Sequence, residues 1–201
     1  MSAEITNIIL AGVGGQGSLR AGQIIARAVG LERFQVATSE VHGMAQRGGS
    51  VFSTVRFGAE VYSPVVPEGE AQFLLAFEKL EAVRYLSYLQ PGGVALINEQ
   101  RITPSIEALK RAPYPHDLER LLSARAGQTL MVPGLELAQK LGNPRVANAV
   151  LLGALSHFIE LTDAAWRQAL TELVPPKTVE RNLRAFDEGA AFAEQHAEAA
   201  A

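Results

Sequence analysis

The chain contains no cysteine. That absence excludes a disulfide, a thiolate nucleophile and the ordinary all-cysteine ligation of an iron–sulfur cluster, so any electron-transfer cluster must belong to another polypeptide. Histidine is nearly as scarce: His42, His116, His157 and His196 stand far apart and form no HExxH or comparable ligand pair, so no metal site is expected. Charge of one sign is missing too. The 18 Lys and Arg balance 21 Asp and Glu to a formal net charge of −3, and the basic residues are scattered, which leaves no electrostatic footprint for nucleic acid. No run approaches the ~20 apolar residues of a membrane span. The opening MSAEITN lacks the charged and apolar regions of a signal peptide, so a cytoplasmic protein is expected. The GxSxG elbow, the Walker lysine motif and the metal-deaminase signature are absent as well.

What remains is a folding chain of ordinary size, 201 residues with 48% apolar content, enough for one substantial core. It is organised around residues 7–50. Ile8-Ile9-Leu10-Ala11 feeds a turn containing Gly12, Gly14, Gly15, Gln16 and Gly17, after which Leu19, Ile24, Ile25 and Ala28 take helical spacing. This reads as strand, tight turn and helix, with glycines that accept positive φ and a helix start whose free N–H groups suit an anion. Phe34–Thr38 predicts a second strand. It ends at a second glycine-bearing loop with Glu40, His42, Gly43, Gln46, Arg47, Gly48, Gly49 and Ser50. If the two strands are parallel neighbours, both loops share the sheet edge where doubly wound folds bind ligands.

Alternation at Val51 to Arg56 predicts a β-hairpin turning at Phe57-Gly58-Ala59-Glu60 and returning through Val61-Tyr62-Ser63, which interrupts the strand–helix alternation and makes the sheet mixed. Residues 72–77 read as a buried strand, Glu78 to Gln90 as a helix stopped by Pro91, and Val94–Asn98 as the next strand. An irregular stretch over 99–116 precedes a helix capped by Asp117 and a last strand at Gln128–Val132. Beyond Pro133 the pattern is helical. Arg145 to Leu161 is apolar almost all round and must be covered by other helices, and the tail from Glu194 is expected to fray. The fold class is therefore α/β, a Rossmann-like mixed sheet with a β-hairpin insertion and a C-terminal helical portion packed on it. One domain is expected over 1–201, with an α/β core at 1–132 and helices at 133–196.

Gly12 to Gly17 matches GxGxxG in its proper context, and Glu40 falls where a ribose-binding acid would stand. A free-standing NAD(P)-binding oxidoreductase is thus one reading; a glycine turn serving close helix–strand packing is the plainer one. Arg47 with Gly48-Gly49 offers an anion pocket, or a partner for Glu40. His42 has no evident orienting carboxylate for acid–base work. Glu78 and Glu81 read as helix N-terminal acids. By residues alone this is a binding fold without a catalytic set.

The combination resembles the gamma subunit, or gamma domain, of 2-oxoacid:ferredoxin oxidoreductases, and within that family the small beta subunits of indolepyruvate:ferredoxin oxidoreductases. The resemblance rests on GVGGQGSLRAGQIIA at 12–26, SEVHGMAQRGGSVFSTVRFG at 39–58, YSPVVPEGEAQFLLAFEKLEAVRYLSYLQPGG at 62–93, NPRVANAVLLGALS at 143–156 and PPKTVERNLRAFDEG at 175–189. SEVHGMAQRGG is its most specific part. The resemblance implies a subunit with no activity alone, serving coenzyme A-dependent oxidative decarboxylation of a 2-oxoacid. Thiamine diphosphate, Mg and iron–sulfur clusters would lie on a large partner subunit, with ferredoxin as electron acceptor. The two glycine loops would bind coenzyme A phosphates or pack against that subunit. A lone gamma subunit with an apolar docking face would be expected to self-associate or form a homodimer when isolated, and a scaffold without an enzyme partner is a further reading.

Overall fold

The structure, a computed structural model, describes residues 5–42, 48–102, 114 and 117–197. Its first strand, β1 (Thr6–Val13), is buried along its six inner residues, as a strand covered on both faces must be. Helix α1 (Ser18–Leu31) follows, burying Ala21, Ile24, Ile25, Ala28 and Val29. The remaining strands are β2 (Gln35–His42), β3 (Ser50–Gly58), β4 (Ala71–Ala76), β5 (Leu89–Asn98) and β6 (Gln128–Val132). They form one six-stranded sheet in the order β2-β3-β1-β4-β5-β6. β1, β4, β5 and β6 are parallel, whereas β3 runs antiparallel to both of its neighbours.

This arrangement moves the hairpin. Residues 59–70 form no strand, and β3 pairs with β2 along its N-terminal side of the chain, so the hairpin is β2–β3, joined through 43–49. The reason is that β3 sits between β1 and β2 and spends its backbone groups on both, leaving no free edge for a return at Val61–Ser63. That segment is held instead by side chains: Thr54 Oγ1 donates to the Pro64 carbonyl at 2.7 Å, and Arg56 donates to the carbonyls of Ser63 and Val65. Likewise β1 and β2 run in one direction but are not neighbours. Their ends nevertheless meet one edge, since Val13 stands opposite Ser50 and His42 opposite Val51.

Helix α2 (Lys79–Arg84) is shorter than the periodicity predicts; a single 3-10 turn over Leu86–Tyr88 follows, and β5 already begins at Leu89. Pro91 can donate nothing to a ladder, and the β4–β5 register shifts there, between the pairs Ala71 with Leu89 and Phe73 with Val94. Helix α3 (Leu118–Ser123) starts after Asp117, whose carboxylate takes a bond from Arg120 and caps no backbone N–H. Most of the irregular stretch expected at 99–116 lies outside the described residues.

Helices α4 (Gly134–Lys140), α5 (Ala147–Ser156), α6 (Asp163–Leu173) and α7 (Val179–His196) complete the chain. With α1 they cover one sheet face, joining Ile8, Leu10, Leu75 and Leu96 to Ile25, Val150, Leu151 and Leu155 in the larger core. The smaller core lies on the opposite face, where α2 and α3 bring Ala82 and Leu122 onto Ile9, Leu74 and Ile97. α7 does not fray at Glu194: it runs to His196, Ala197 is buried, and Gln128 donates to the Ala197 carbonyl.

Candidate functional site

The two glycine loops are zipped together by their backbones. Gly14 N–H donates to the Gly49 carbonyl at 2.7 Å, and Gly48 N–H donates to the Gly14 carbonyl at 3.3 Å. Gln16 braces the first loop from within. Its Oε1 accepts from Val13 N–H at 2.7 Å, while its Nε2 donates to the Phe77 carbonyl at 2.7 Å and to Gln100 Oε1 at 3.0 Å. Asn148, from the first turn of α5, donates to the Gln16 carbonyl at 2.7 Å.

These contacts sort the glycines into two kinds. A Cβ on Gly12 would stand 3.2 Å from Gln16 Oε1 and Phe77 Cβ, and one on Gly17 would stand 2.5 Å from Asn148 Nδ2 with φ at +79°. Their smallness serves packing. Gly15 (φ +102°) and Gly48 (φ +75°) are exposed and face open space, which leaves their backbone approachable by another molecule. Around them the start of α1 supplies the positive end of a helix with no side-chain cap.

Ser50, the first residue after the second loop, is tied down differently. Its Oγ donates to the carboxylate of Glu81 and lies 3.0 Å from the Tyr85 hydroxyl. Glu81 is buried and its other oxygen takes Arg84 Nε at 3.2 Å. Glu78, also buried, caps α2 by accepting from Leu80 N–H at 2.6 Å and Glu81 N–H at 3.1 Å, and its second oxygen accepts from Ile102 N–H and from the Tyr114 hydroxyl at 2.7 Å. Burial first, and then the bond to Glu78, push the Tyr114 phenol well above its ordinary range. Reading these two acids as N-terminal residues located them correctly, but their burial and their long-range partners carry no local signature. Gln100, Asn98 and Asn148 were missed for the same reason.

Glu40 stands apart from the turn. It is exposed on β2, opposite Ser53, and lines a small cleft with Gly22 and Arg27. The inserted β3 separates β2 from β1, so Glu40 does not take the adjacent-strand position from which an acid reaches a ribose bound at the β1–α1 turn. Gly43, Gln46 and Arg47 lie outside the described residues, and of His42 only the backbone is described. Among the described residues no group of His, Asp and Glu side chains gathers to hold a metal ion, and no helix is long and apolar enough to cross a membrane.

A sequence profile described as pyruvate ferredoxin/flavodoxin oxidoreductase matches residues 7–192. The chain belongs to this family. It is 39% identical over 194 residues to the indolepyruvate oxidoreductase subunit IorB of Thermococcus kodakarensis, an alignment covering 94% of this chain and 96% of the relative. Among solved structures, it is similar to a keto/oxoacid ferredoxin oxidoreductase gamma subunit from Geobacter sulfurreducens PCA (27% identity, TM-score 0.71, 94% of this chain and 99% of that one). It also shares its fold with 32% of a 2-oxoglutarate:ferredoxin oxidoreductase chain from Magnetococcus marinus, with a TM-score of 0.75 at 21% identity over 96% of this chain. As an oxidoreductase family member it is homologous to one subunit of a multi-subunit enzyme. The mixed sheet with C-terminal helices is the gamma-subunit fold, as the resemblance implied.

Proposed function

We propose that this chain, as one gamma-type domain over 1–201, is the non-redox subunit of an arylpyruvate-type 2-oxoacid:ferredoxin oxidoreductase, with indolepyruvate as the leading substrate. In the proposed reaction a 2-oxoacid anion and the thiol of coenzyme A yield acyl-coenzyme A, carbon dioxide, a proton and two electrons, and the electrons pass to ferredoxin. Thiamine diphosphate with Mg would supply the decarboxylation chemistry and iron–sulfur clusters the electron path. This chain has no cysteine for a cluster and no GDG motif for thiamine diphosphate, and both groups are assigned to a large partner subunit.

The role left to this chain is to present the joined loops, Gly12–Gly17 and His42–Ser50, to coenzyme A or to the partner next to the reacting centre. One observation carries this reading: the Gly14 pair locks the loops into one face while Gly15 and Gly48 stay open. Among the described residues, a phosphate could approach that backbone and the α1 start without displacing a side chain.

Co-expression with the large subunit, followed by dye reduction with aromatic 2-oxoacids and coenzyme A, tests the proposal. Turnover is expected only from the complex. Arg47→Ala should raise KM for coenzyme A or weaken assembly by roughly tenfold, the scale of one charge-assisted hydrogen bond. Unchanged assembly and turnover would remove Arg47 from the site.

A further inference from the structure

Behind the glycine turn, on the helical side of the sheet, a groove of about 640 Å³ opens between the first turns of α1, α5 and α7 and the end of α6. Its volume falls within the range of small-molecule sites. The wall is unbalanced in charge: among the described residues Arg20 and Arg145 line it, and no carboxylate does. Arg27 and Arg184, on the same helices, are paired with Glu172 and Glu180 and do not line the groove. The guanidinium groups of Arg20 and Arg145 have no hydrogen bond or ion pair among the described residues, although both are exposed enough to reach one.

The floor is apolar, formed by Ile24, Leu170 and Leu173 among others. One buried polar group interrupts it. Asn182 is 9% exposed; its Nδ2 donates to the Thr178 carbonyl at 2.9 Å, which fixes the amide and leaves Oδ1 without a hydrogen bond among the described residues. That oxygen is reachable from the groove, where it can accept from an N–H or O–H donor.

We infer that this groove binds an aromatic organic anion that carries an N–H donor. The anionic head is held by Arg20 and Arg145, whose planar forks match phosphate and carboxylate alike. The ring lies on Ile24, Leu170 and Leu173, and its N–H donates to Asn182 Oδ1. A nucleotide phosphate and an indole carboxylate share this chemistry. The inference goes beyond the proposed function, because the groove is lined by no residue of the two loops, although it shares the start of α1 with them. The two are mechanically joined, since Asn148 lines the groove and holds the Gln16 carbonyl.

The groove is built wholly from this chain, so the full-length protein alone suffices as the sample. Calorimetric titration with ADP and with indole-3-acetate is expected to show one of them binding with a Kd below about 1 mM, the modest affinity of a single small anion. Binding of ADP assigns the head as phosphate, and binding of indole-3-acetate assigns it as carboxylate. The double substitution Arg20→Ala with Arg145→Ala should weaken that binding at least about tenfold without lowering the melting temperature, and Arg184→Ala should leave it unchanged. No heat from either probe, or heat unaffected by the double substitution, overturns the inference. Either outcome leaves the loop proposal standing, because that one is read from the reconstituted complex.

Discussion

Glu78 shows how much one side chain can do at this sheet edge. It is 1% exposed and accepts four hydrogen bonds, two from the start of α2 and two from Ile102 and Tyr114. Glu78→Ala removes a cap and strands several buried donors, so a loss of roughly 3 kcal/mol is expected, read by denaturant unfolding. Tyr114 reports on the same cluster. Its neutral form is favoured in the folded state, so the stability it contributes is intact below its ordinary value near 10 and is lost as pH rises beyond it. A near-ultraviolet alkaline titration should show one phenol ionising later than free tyrosine, a component absent from Tyr114→Phe. Retention of that component would contradict the burial of this residue. The glycines carry the same lesson: GxGxxG spacing is visible in the chain, but only the neighbours show that Gly17 makes room for Asn148 while Gly15 faces open space.

Among the elements, α5 and α7 meet most closely. Gly153 and Gly189 are reciprocal: a Cβ on the first would lie 1.9 Å from the Phe186 carbonyl oxygen, and one on the second 1.9 Å from that of Val150. Backbone against backbone cannot yield as a side chain can. Gly153→Ala is therefore expected to cost about 3 kcal/mol and to lower the melting temperature by on the order of 10 °C, measurable by calorimetry. The all-round apolar pattern of α5 required such a cover but did not name it. α1 and α6 are joined at their surfaces by a two-bond pair, Arg27 Nε to Glu172 Oε2 at 2.5 Å and Nη2 to Oε1 at 3.0 Å. The bond from Arg27 is the main reason the Glu172 carboxyl sits at about 2, below its ordinary 4.5. A lowered carboxyl contributes stability that is present above 4.5 and is lost as pH falls toward 2. Because the pair is exposed, the effect is small and screened by salt. Glu172→Gln should flatten the melting-temperature profile across that acid window at low ionic strength, and an unaltered slope would show that the pair contributes nothing.

At the scale of the whole molecule, both sheet faces are covered and one edge carries the candidate site, while the proposal assigns the reaction's cofactor chemistry to a partner. The sequence by itself determined a good deal of this. The strand, glycine turn and helix at the start of the chain and the α/β class were legible because hydrophobic period and turn residues are local properties, and the SEVHGMAQRGG loop carried the family resemblance. Local signals also placed β6 at Gln128–Val132 and stopped α4 at Gly142. Tertiary structure alone decided that β3 enters between β1 and β2, that Glu40 stands two strands from the turn, that Gln16 and Glu81 brace the loops, and that Glu78 ties the start of α2 to Ile102 and Tyr114. It alone brought Arg20, Arg145 and Asn182 to one groove. Strand order and side-chain convergence depend on contacts between residues tens of positions apart, and a periodicity read over one stretch carries no record of which distant stretch will complete it.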